Sequence, residues 1–379
     1  MNKKIIYLDN AATTRLLSAV EQEIIDYLDD YGNPSSLYQI GVNNKAIIQY
    51  ARCQIADTLG VEPDRIIFTS GASESNCMAI KSTFDMLKSR GNHIITSKIE
   101  HHSIIGCLHY LEKYHGAEVT YLDVDQYGRV DPVDVGTAIT EKTILITIMA
   151  SNNEIGTIQN ISSINNIAKS YGILFHSDGT QSYLKHDLNT KDFDMLSVSA
   201  HKIGGPKGIG ALYVKEGIDI PPLITGTQEM GLRGGTENIL GIVGFGEAAY
   251  IASRKMSDWN QHISELAYHF VMRVTNEIPD CRLNGHPGIR LVNNVNISFD
   301  GIRGEELMIL LDMFGICVST GSACNSSSGE PSHVLKAIGL SDDEANSSIR
   351  FSFSHENTME EIDFTIERLK ELVERLRNK

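Results

Sequence analysis

The chain has 379 residues, of which 41% are hydrophobic and 21% are charged. This composition is typical of a folded globular protein that is long enough for two domains. The formal net charge of −15 disfavours binding to a phosphate backbone, so we expect no nucleic-acid partner. The apolar run before Asp9 is too short for a signal peptide, and no later stretch approaches a membrane span, so we expect no membrane association.

The cysteines are thinly spread and include no Cys-x-x-Cys pair. Such usage is typical of free thiols in a reducing compartment, and it predicts a cytoplasmic protein. For all but one of them, a buried and inert side chain is the simpler interpretation. These five are Cys53, Cys77, Cys107, Cys281 and Cys317, and the sixth is Cys324.

Short apolar runs alternate with helical patterns over the first two-thirds of the chain. This alternation predicts βαβ units and a mostly parallel sheet covered on both faces. After the fourth predicted strand, apolar residues recur near helical spacing from Ile158 to Tyr171, and Gly172 is the expected end of that helix. The predicted strands lie at 65–69, 93–97, 119–125, 143–149, 173–178, 194–199 and 210–214.

The pattern changes from about Ser257. A long helical region precedes predicted strands at 293–299 and 347–354. The last helix begins with Thr358 and Glu361 at capping-box spacing. We therefore predict an α/β protein with a large domain over residues 15–256. The predicted smaller α+β domain combines residues 1–14 with residues 257–379 and carries Cys324 and Arg350.

Reactive side chains follow several of the predicted strands in the large domain. In an open parallel sheet, ligands bind outside the carboxyl ends of the strands. The convergence of these residues at one edge therefore predicts a pocket. They are Ser73, Glu74, His101, Asn153, Asp178, Ser199, His201 and Lys202.

The residues of this pocket match what pyridoxal phosphate requires of a protein. Lys202 is the primary amine for a Schiff base, because a desolvated lysine loses its proton readily. Asp178 is the carboxylate that keeps the pyridine nitrogen protonated. The phosphate donors are expected to be Ser73, Ser199, His201 and the backbone amides after Gly71. Ring or substrate contacts are expected from Asn153, Gln181 and His101.

Simpler interpretations exist for several of these residues taken singly. Asp178 and Ser73 could cap helices. His101 adjoins His102, but no carboxylate or cysteine lies at ligand spacing, so no metal site is predicted. Arg350 could form an ion pair with a surface carboxylate. The glycine-rich run at 204–210 has neither the P-loop nor the dinucleotide spacing, so we reject a nucleotide loop.

Ten motifs run the length of the chain: YLDNAATT, YGNPSSLY, IIFTSGASESN, EHHSI, SNNEIGTIQ, HSDGTQS, SAHKIGGPKGIGALYV, LRGGTEN, STGSACNSSSGEPSHVLKAIGL and SSIRFSFS. In type and order they resemble those of the cysteine desulfurases, in the NifS/IscS-like group of the class-V aminotransferase family. The resemblance implies the fold-type-I architecture of pyridoxal-phosphate-dependent transferases and a homodimer.

The resemblance also implies a role for each matching residue. Lys202 corresponds to the Schiff-base lysine, Asp178 to the partner of the pyridine nitrogen and His101 to the ring-stacking histidine. Arg350 corresponds to the arginine that binds the substrate carboxylate. The family's phosphate-binding positions correspond to Ala72, Ser73, Ser199 and His201. Its contacts to the ring oxygen and the substrate correspond to Asn153 and Gln181. Thr236 resembles a threonine that reaches the phosphate of the neighbouring subunit.

Cys324 lies in the run GSACNSSSG, which is too polar and flexible to pack as core. The resemblance implies that its thiolate attacks the sulfur of L-cysteine. L-Alanine then leaves, and the persulfide on Cys324 passes to an acceptor protein that serves Fe–S cluster assembly or the thiolation of tRNA or cofactors. Three alternatives stay open: a selenocysteine lyase, another class-V enzyme such as a C–S lyase or aminotransferase, and a scaffold without activity.

Two features depart from the family pattern. Residues 223–236 read LITGTQEMGLRGGT, where relatives are richer in glycine, and the resemblance places this segment near the substrate entrance. We therefore expect an effect on substrate preference or acceptor choice. His355 follows the strand of Arg350 and receives no role from the sequence.

Overall fold

The computed structural model describes residues 4–320 and 330–378. Its strands are β1 (Ile6–Tyr7), β2 (Ile66–Thr69), β3 (His93–Ser97), β4 (Glu118–Leu122), β5 (Thr143–Thr147), β6 (Leu174–Asp178), β7 (Met195–Ser199), β8 (Gly210–Val214), β9 (Cys281–Asn284), β10 (Asn294–Phe299), β11 (Ile316–Cys317) and β12 (Ser348–Ser352). Each strand predicted from the sequence coincides with an observed strand to within three residues at either end.

The helices connect these strands and cover them. They are α1 (Ser18–Asp26), α2 (Gln39–Leu59), α3 (Ala72–Leu87), α4 (His102–His115), α5 (Pro132–Ala138), α6 (Ile161–Ser170), α7 (Ile239–Glu277), α8 (Gly304–Asp312), α9 (His333–Ala337), α10 (Asp342–Asn346) and α11 (Met359–Arg377). Short 3₁₀ turns lie at Pro63–Arg65, Thr190–Asp192, Ala200–Lys202 and Glu229–Gly231.

The main sheet has seven strands within the described residues, in the order β2-β8-β7-β6-β5-β3-β4. Only β8 runs antiparallel to its neighbours there, which confirms the mostly parallel sheet expected from the sequence. Successive side chains of a strand point to opposite faces, and in β2 Ile66 and Phe68 pack in one apolar cluster while Ile67 packs in another. Helices therefore cover the sheet on both faces.

The C-terminal part of the chain builds a second, antiparallel sheet in the order β12-β10-β9. The N-terminal segment joins it, because β1 pairs with β11 and Asp9 forms a bridge to Ser352. Helix α11 packs on this sheet and begins with the capping box predicted from the sequence, in which Thr358 accepts from Glu361.

Helix α7 is 39 residues long and runs through the predicted domain boundary at residues 256 and 257. Its N-terminal half packs on α1 and α2 and belongs to an apolar cluster of the main sheet as far as Ala252, and its C-terminal half packs in the cluster of the second sheet from Ile263 onwards. This change of apolar cluster supports a division of the molecule within α7. We propose that the large domain ends there and that residues 1–14 belong to the small domain.

The unusual segment 223–236 is fixed to the main sheet by a buried ion pair. Arg52 binds Glu229 in bidentate fashion, with both N–O distances 2.7 Å, and the same carboxylate accepts from the backbone N–H of Phe68 at 2.7 Å. Glu229 and Met230 have positive φ angles of 45° and 59°, a conformation that costs energy in non-glycine residues. The ion pair stabilises that turn.

Replacement of Arg52 by methionine is expected to destabilise the protein by about 3–5 kcal/mol, because the Glu229 carboxylate would stay buried without its partner. Chemical denaturation measures this change. Arg65→Met is the control: its pair with Asp64 is exposed, so less than about 1 kcal/mol should be lost. Equal losses of unfolding free energy in the two variants would contradict a stabilising role for the ion pair between Arg52 and Glu229.

No helix of the described residues is both long enough and apolar enough to cross a membrane.

Candidate active site

A cavity of about 560 Å³ opens at the carboxyl edge of the main sheet. Its walls come from the ends of β3, β5, β6 and β7, the first turn of α3, the N-terminal segment and β12. This is the edge at which ligands bind in open parallel sheets. The structure brings the following predicted residues together here: Ala72, Ser73, Glu74, His101, Asn153, Asp178, Gln181, Ser199, His201, Lys202 and Arg350.

Asp178 ends β6 and is only 6% exposed. Its Oδ2 accepts a hydrogen bond from Asn76 Nδ2 at 2.8 Å, and its Oδ1 accepts one from the backbone N–H of Thr180 at 2.9 Å. The two hydrogen bonds fix the Asp178 carboxylate at the carboxyl end of β6. The hydrogen bond between Asp178 and the backbone of Thr180 also closes the turn that leads to Gln181.

His101 is the N-cap of α4. Its Nδ1 accepts from the backbone N–H of Ser103 at 3.1 Å, so the neutral ring carries its proton on Nε2. Burial and the positive charge of Lys202 lower the pKa of His101, although the nearby Asp178 opposes this effect. The ring is therefore neutral near pH 7.

Asn76 connects these two groups and was missed by the sequence analysis. Its Nδ2 donates to Asp178 and also to Ser103 Oγ at 2.9 Å, and that hydroxyl lies 2.9 Å from His101 Nδ1. The side chain is completely buried. Asn76 is the last residue of the motif IIFTSGASESN, but its role was not predicted because its partners are 27 and 102 residues away along the chain.

Lys202 follows β7 in the tight turn Ala200–Lys202. Its Nζ donates to the carbonyl oxygens of Ala11 and Ala12, both at 2.7 Å. The N-terminal segment thereby borders the pocket on the side of this amine. Gln181 is bound to the same segment, because its Nε2 donates to the carbonyl of Ala11 at 2.9 Å.

The start of α3 forms the predicted anion-binding end of the pocket. Gly71 precedes the helix with φ of 150°, and β8 approaches so closely that a Cβ on Gly210 would lie 2.7 Å from Gly71 Cα. The first N–H groups of a helix lack partners within the helix, so those of Ala72 and Ser73 are suited to an anion.

Two neighbours support this end of the pocket. Burial would raise the pKa of Glu74, but hydrogen bonds from Arg233 and Ser70 outweigh it, so the pKa is lowered and the carboxylate stays ionised. The Arg233 contact, at 2.9 Å, joins segment 223–236 to this turn. Burial and the charge of Lys202 lower the pKa of His201 to about 4, so its ring is a neutral hydrogen-bonding group.

Arg350 lies in the opposite wall, on β12. Its Nη2 donates to Asp9 Oδ1 at 2.7 Å, and its Nη1 donates to the carbonyl of Asn153 at 3.0 Å. The Arg350 side chain is 6% exposed, so the ion pair anticipated as a simpler interpretation exists but forms part of the pocket wall. Arg350 Nε is buried and has no hydrogen-bond partner among the described residues.

Two predicted residues are not placed in this pocket. Thr236 is exposed and does not line the cavity. Cys324 lies outside the described residues, as do its neighbours from 321 to 329.

The fold and the pocket together define a class of cofactor-dependent enzyme. The sequence pattern of the class-V aminotransferases matches residues 6–364, and the chain belongs to that pyridoxal-phosphate-dependent family. Over 99% of its length the chain is 46% identical to "Cysteine desulfurase IscS" from Dictyoglomus turgidum, of which 96% is covered. The protein of the same name from Methanosarcina thermophila is also 46% identical, over 99% of this chain and 93% of that relative.

Solved structures agree with these relatives. A NifS-like protein superposes with a TM-score of 0.91 at 36% identity, covering 98% of this chain and all of that one. A NifS-like protein from Rickettsia africae gives a TM-score of 0.88 at 32% identity, again over 98% of this chain and the whole of the other. The fold-type-I architecture expected from the motifs is confirmed.

The residues present fit the family's cofactor. Asp178 offers a fixed carboxylate for a pyridinium nitrogen, Lys202 a primary amine and the start of α3 a set of phosphate donors. Gln181 Oε1 and Arg350 Nε are buried polar atoms without hydrogen-bond partners among residues 4–320 and 330–378. Both residues line the cavity, so a polar ligand would satisfy them.

We expect Asn76→Ala to weaken cofactor binding and to lower kcat/KM by about 10- to 100-fold, the range typical for loss of a group that orients an active-site residue. Without the amide, Asp178 and His101 lose their common anchor. The diagnostic readout is the pH dependence of the cofactor's visible absorbance band, which should change. Asn165→Ala, at a completely buried asparagine in α6, is the control and should leave the band unaltered. Identical spectra in the two variants would contradict the role of Asn76.

Proposed function

We propose that this protein is a cysteine desulfurase, which removes sulfur from L-cysteine, releases L-alanine and passes a persulfide to a sulfur acceptor. The observation that carries the proposal is the convergence of Lys202, Asp178 and Arg350 on one cavity, in a chain whose relatives bear that name. The set combines an amine, a carboxylate for the ring nitrogen and a guanidinium for a substrate carboxylate.

Pyridoxal phosphate supplies an electron sink next to the substrate's amino group when it is bound. Asp178 would hold a proton at the ring nitrogen, because its carboxylate is fixed by Asn76 and Thr180. Lys202 would bind the aldehyde and, once free, move a proton at the substrate Cα. His101 would stack on the ring and hold its own proton at Nε2.

Arg350 would orient the substrate. Its two terminal nitrogens are held by Asp9 and by the carbonyl of Asn153, so the plane of the guanidinium is fixed before a ligand arrives. Its buried Nε could donate to a carboxylate oxygen of the amino acid. Because the side chain is held in place, little conformational entropy is lost on binding.

The proposal assigns the persulfide to Cys324. Residues on both sides of segment 321–329 are fixed to the pocket wall, which supports this role. Ser319 exchanges two backbone hydrogen bonds with Arg350, at 2.6 and 3.2 Å. Beyond the segment, Ser332 Oγ donates to Glu154 and His333 Nε2 lies 2.9 Å from the carbonyl of Glu100.

We also propose a homodimer in the cytoplasm, in which Thr236 of each chain contacts the phosphate of the other. Thr236 is exposed on its own chain. A short segment rich in exposed apolar side chains supports a protein interface, since apolar surface of this kind is often covered by a partner. These side chains lie in the segment 28–40 and are those of Leu28, Tyr31, Leu37, Tyr38 and Ile40.

The test is a product assay on the purified holoenzyme. Incubation with L-cysteine should yield alanine and, with a thiol reductant present, sulfide in equal amounts, and mass spectrometry should locate a persulfide on Cys324. Alanine and selenide formed only from L-selenocysteine would indicate the lyase instead. A keto acid in place of alanine would indicate an aminotransferase, and a colourless protein without products would indicate a scaffold.

A further inference from the structure

A second, much smaller cavity lies beside the active site, and Lys202 lines both. Its volume is about 70 Å³. The N-terminal segment, helix α7 and residues 353–356 contribute to its walls. We call it the Lys185 chamber after the lysine in its wall, whose amine is buried. Its polar lining residues are Asn10, Thr14, Arg15, Lys185, Lys202, Asn260, Asn293, Ser354, His355 and Glu356.

Lys185 is half-buried, but its amine is fully buried and is not used by the proposed reaction. Its Nζ has no hydrogen-bond partner among the described residues and is shielded from solvent. Burial, and then the charges of Lys202 and Arg350, lower the pKa of Lys185 to about 7. A buried ammonium without a counter-charge is costly, so this amine either loses its proton or takes up an anion.

The charges around the chamber favour the anion. Arg15, Lys185 and Lys202 line it, against the single carboxylate of Glu356. His355 adds no charge of its own near pH 7, because burial lowers its pKa although Glu356 opposes this effect. The imidazole ring of His355 stacks on Trp259 with ring centres 4.0 Å apart, and the stacked pair forms one wall.

A second atom in the wall also lacks a partner. Asn293 is 4% exposed, and its Oδ1 is buried and accepts no hydrogen bond from the described residues. The chamber therefore offers one unused donor with a positive charge, on Lys185, and one unused acceptor, on Asn293. A ligand with a negative charge and a hydrogen-bond donor would satisfy both atoms and would also compensate the positive charge of the lining.

We propose that the Lys185 chamber binds a small monoanion that carries its own hydrogen-bond donor, a class represented by bicarbonate. The chamber has roughly half the volume of the ~150 Å³ cavity that accommodates benzene in an engineered protein, so only a ligand of a few heavy atoms fits. Lys185 would donate to the anion's charged oxygens and Asn293 Oδ1 would accept from its hydroxyl. The inference does not depend on the proposed function.

The test is calorimetric titration of the holoenzyme with bicarbonate and, separately, with chloride. We expect one bicarbonate site per chain, at least tenfold tighter than chloride. Titrations near pH 8 in two buffers of different ionisation enthalpy should show proton uptake, because Lys185 becomes charged as the anion binds. The charged groups facing Lys185 are Lys202, Arg350, Arg15 and Glu356, with His355 neutral.

Variants identify the site. Lys185→Met should weaken bicarbonate binding at least tenfold and remove the proton uptake, whereas Lys45→Met removes an exposed lysine and should change neither. Asn293→Leu should abolish the preference for bicarbonate over chloride, and it tests the site independently if Lys185→Met does not fold. No bicarbonate binding by the wild type, or unchanged binding by Lys185→Met, overturns the proposal. Equal affinity of the wild type for the two anions also overturns it.

Discussion

Replacement of Lys202 by alanine is expected to abolish covalent attachment of pyridoxal phosphate and to lower desulfurase turnover by about a thousandfold or more. Lys202 lies in the turn Ala200–Lys202 and lines the same cavity as Asp178. The measurements are the visible absorbance band after desalting and the mass of the borohydride-reduced protein. Wild type should retain the added mass of the cofactor, and the variant should not.

Lys207 provides the matched control for this experiment. It lines the same cavity but is exposed, so Lys207→Ala should keep the covalent cofactor and the visible band. If Lys202→Ala retained the borohydride-fixed mass and Lys207→Ala lost it, the assignment of the two amines would have to be exchanged. Retention by both variants would point to another lysine altogether.

The order of elements in the main sheet could be predicted from the sequence because its strands are buried on both faces. Such strands appear as nearly continuous apolar runs, and β5, β6, β7 and β8 all coincide with runs of that kind. The apolar runs do not predict that β8 is antiparallel to its neighbours. That direction depends on a short connection after Lys202 rather than on the apolar pattern.

The residues at the strand ends were predictable for a related physical reason. Parallel strands deliver their carboxyl ends to one edge, so Asp178 and Ser199 had to approach each other once β6 and β7 were neighbours. Asn76 and Lys185 follow no such rule. Asn76 lies in α3 and Lys185 lies in the connection after β6. The role of each residue depends on neighbours that are distant along the chain.

The segment 223–236, which differs from the family pattern in sequence, has a structural role in this chain. Its expected place near the substrate entrance stays a prediction, and the contacts observed are those of Glu229 with Arg52 on α2 and with the backbone N–H of Phe68 in β2. Within its own chain the segment contacts the phosphate end of the pocket through Arg233, which binds Glu74. Loss of these contacts should therefore affect stability and the phosphate end of the pocket.

Replacement of Cys324 by serine is expected to lower alanine and sulfide production from L-cysteine by about a thousandfold or more, because a serine hydroxyl cannot take up the substrate sulfur. The visible band of the cofactor should persist, since Lys202 and Asp178 are unchanged. Cys317→Ser is the control: burial raises the pKa of the Cys317 thiol, which makes it a poor nucleophile, so this variant should keep its activity and its persulfide.

The two variants also separate binding from sulfur transfer, because an intact Arg350 should still allow L-cysteine to perturb the spectrum of Cys324→Ser. Full activity in that variant would exclude a persulfide route through Cys324 and would favour direct C–S bond cleavage by a lyase.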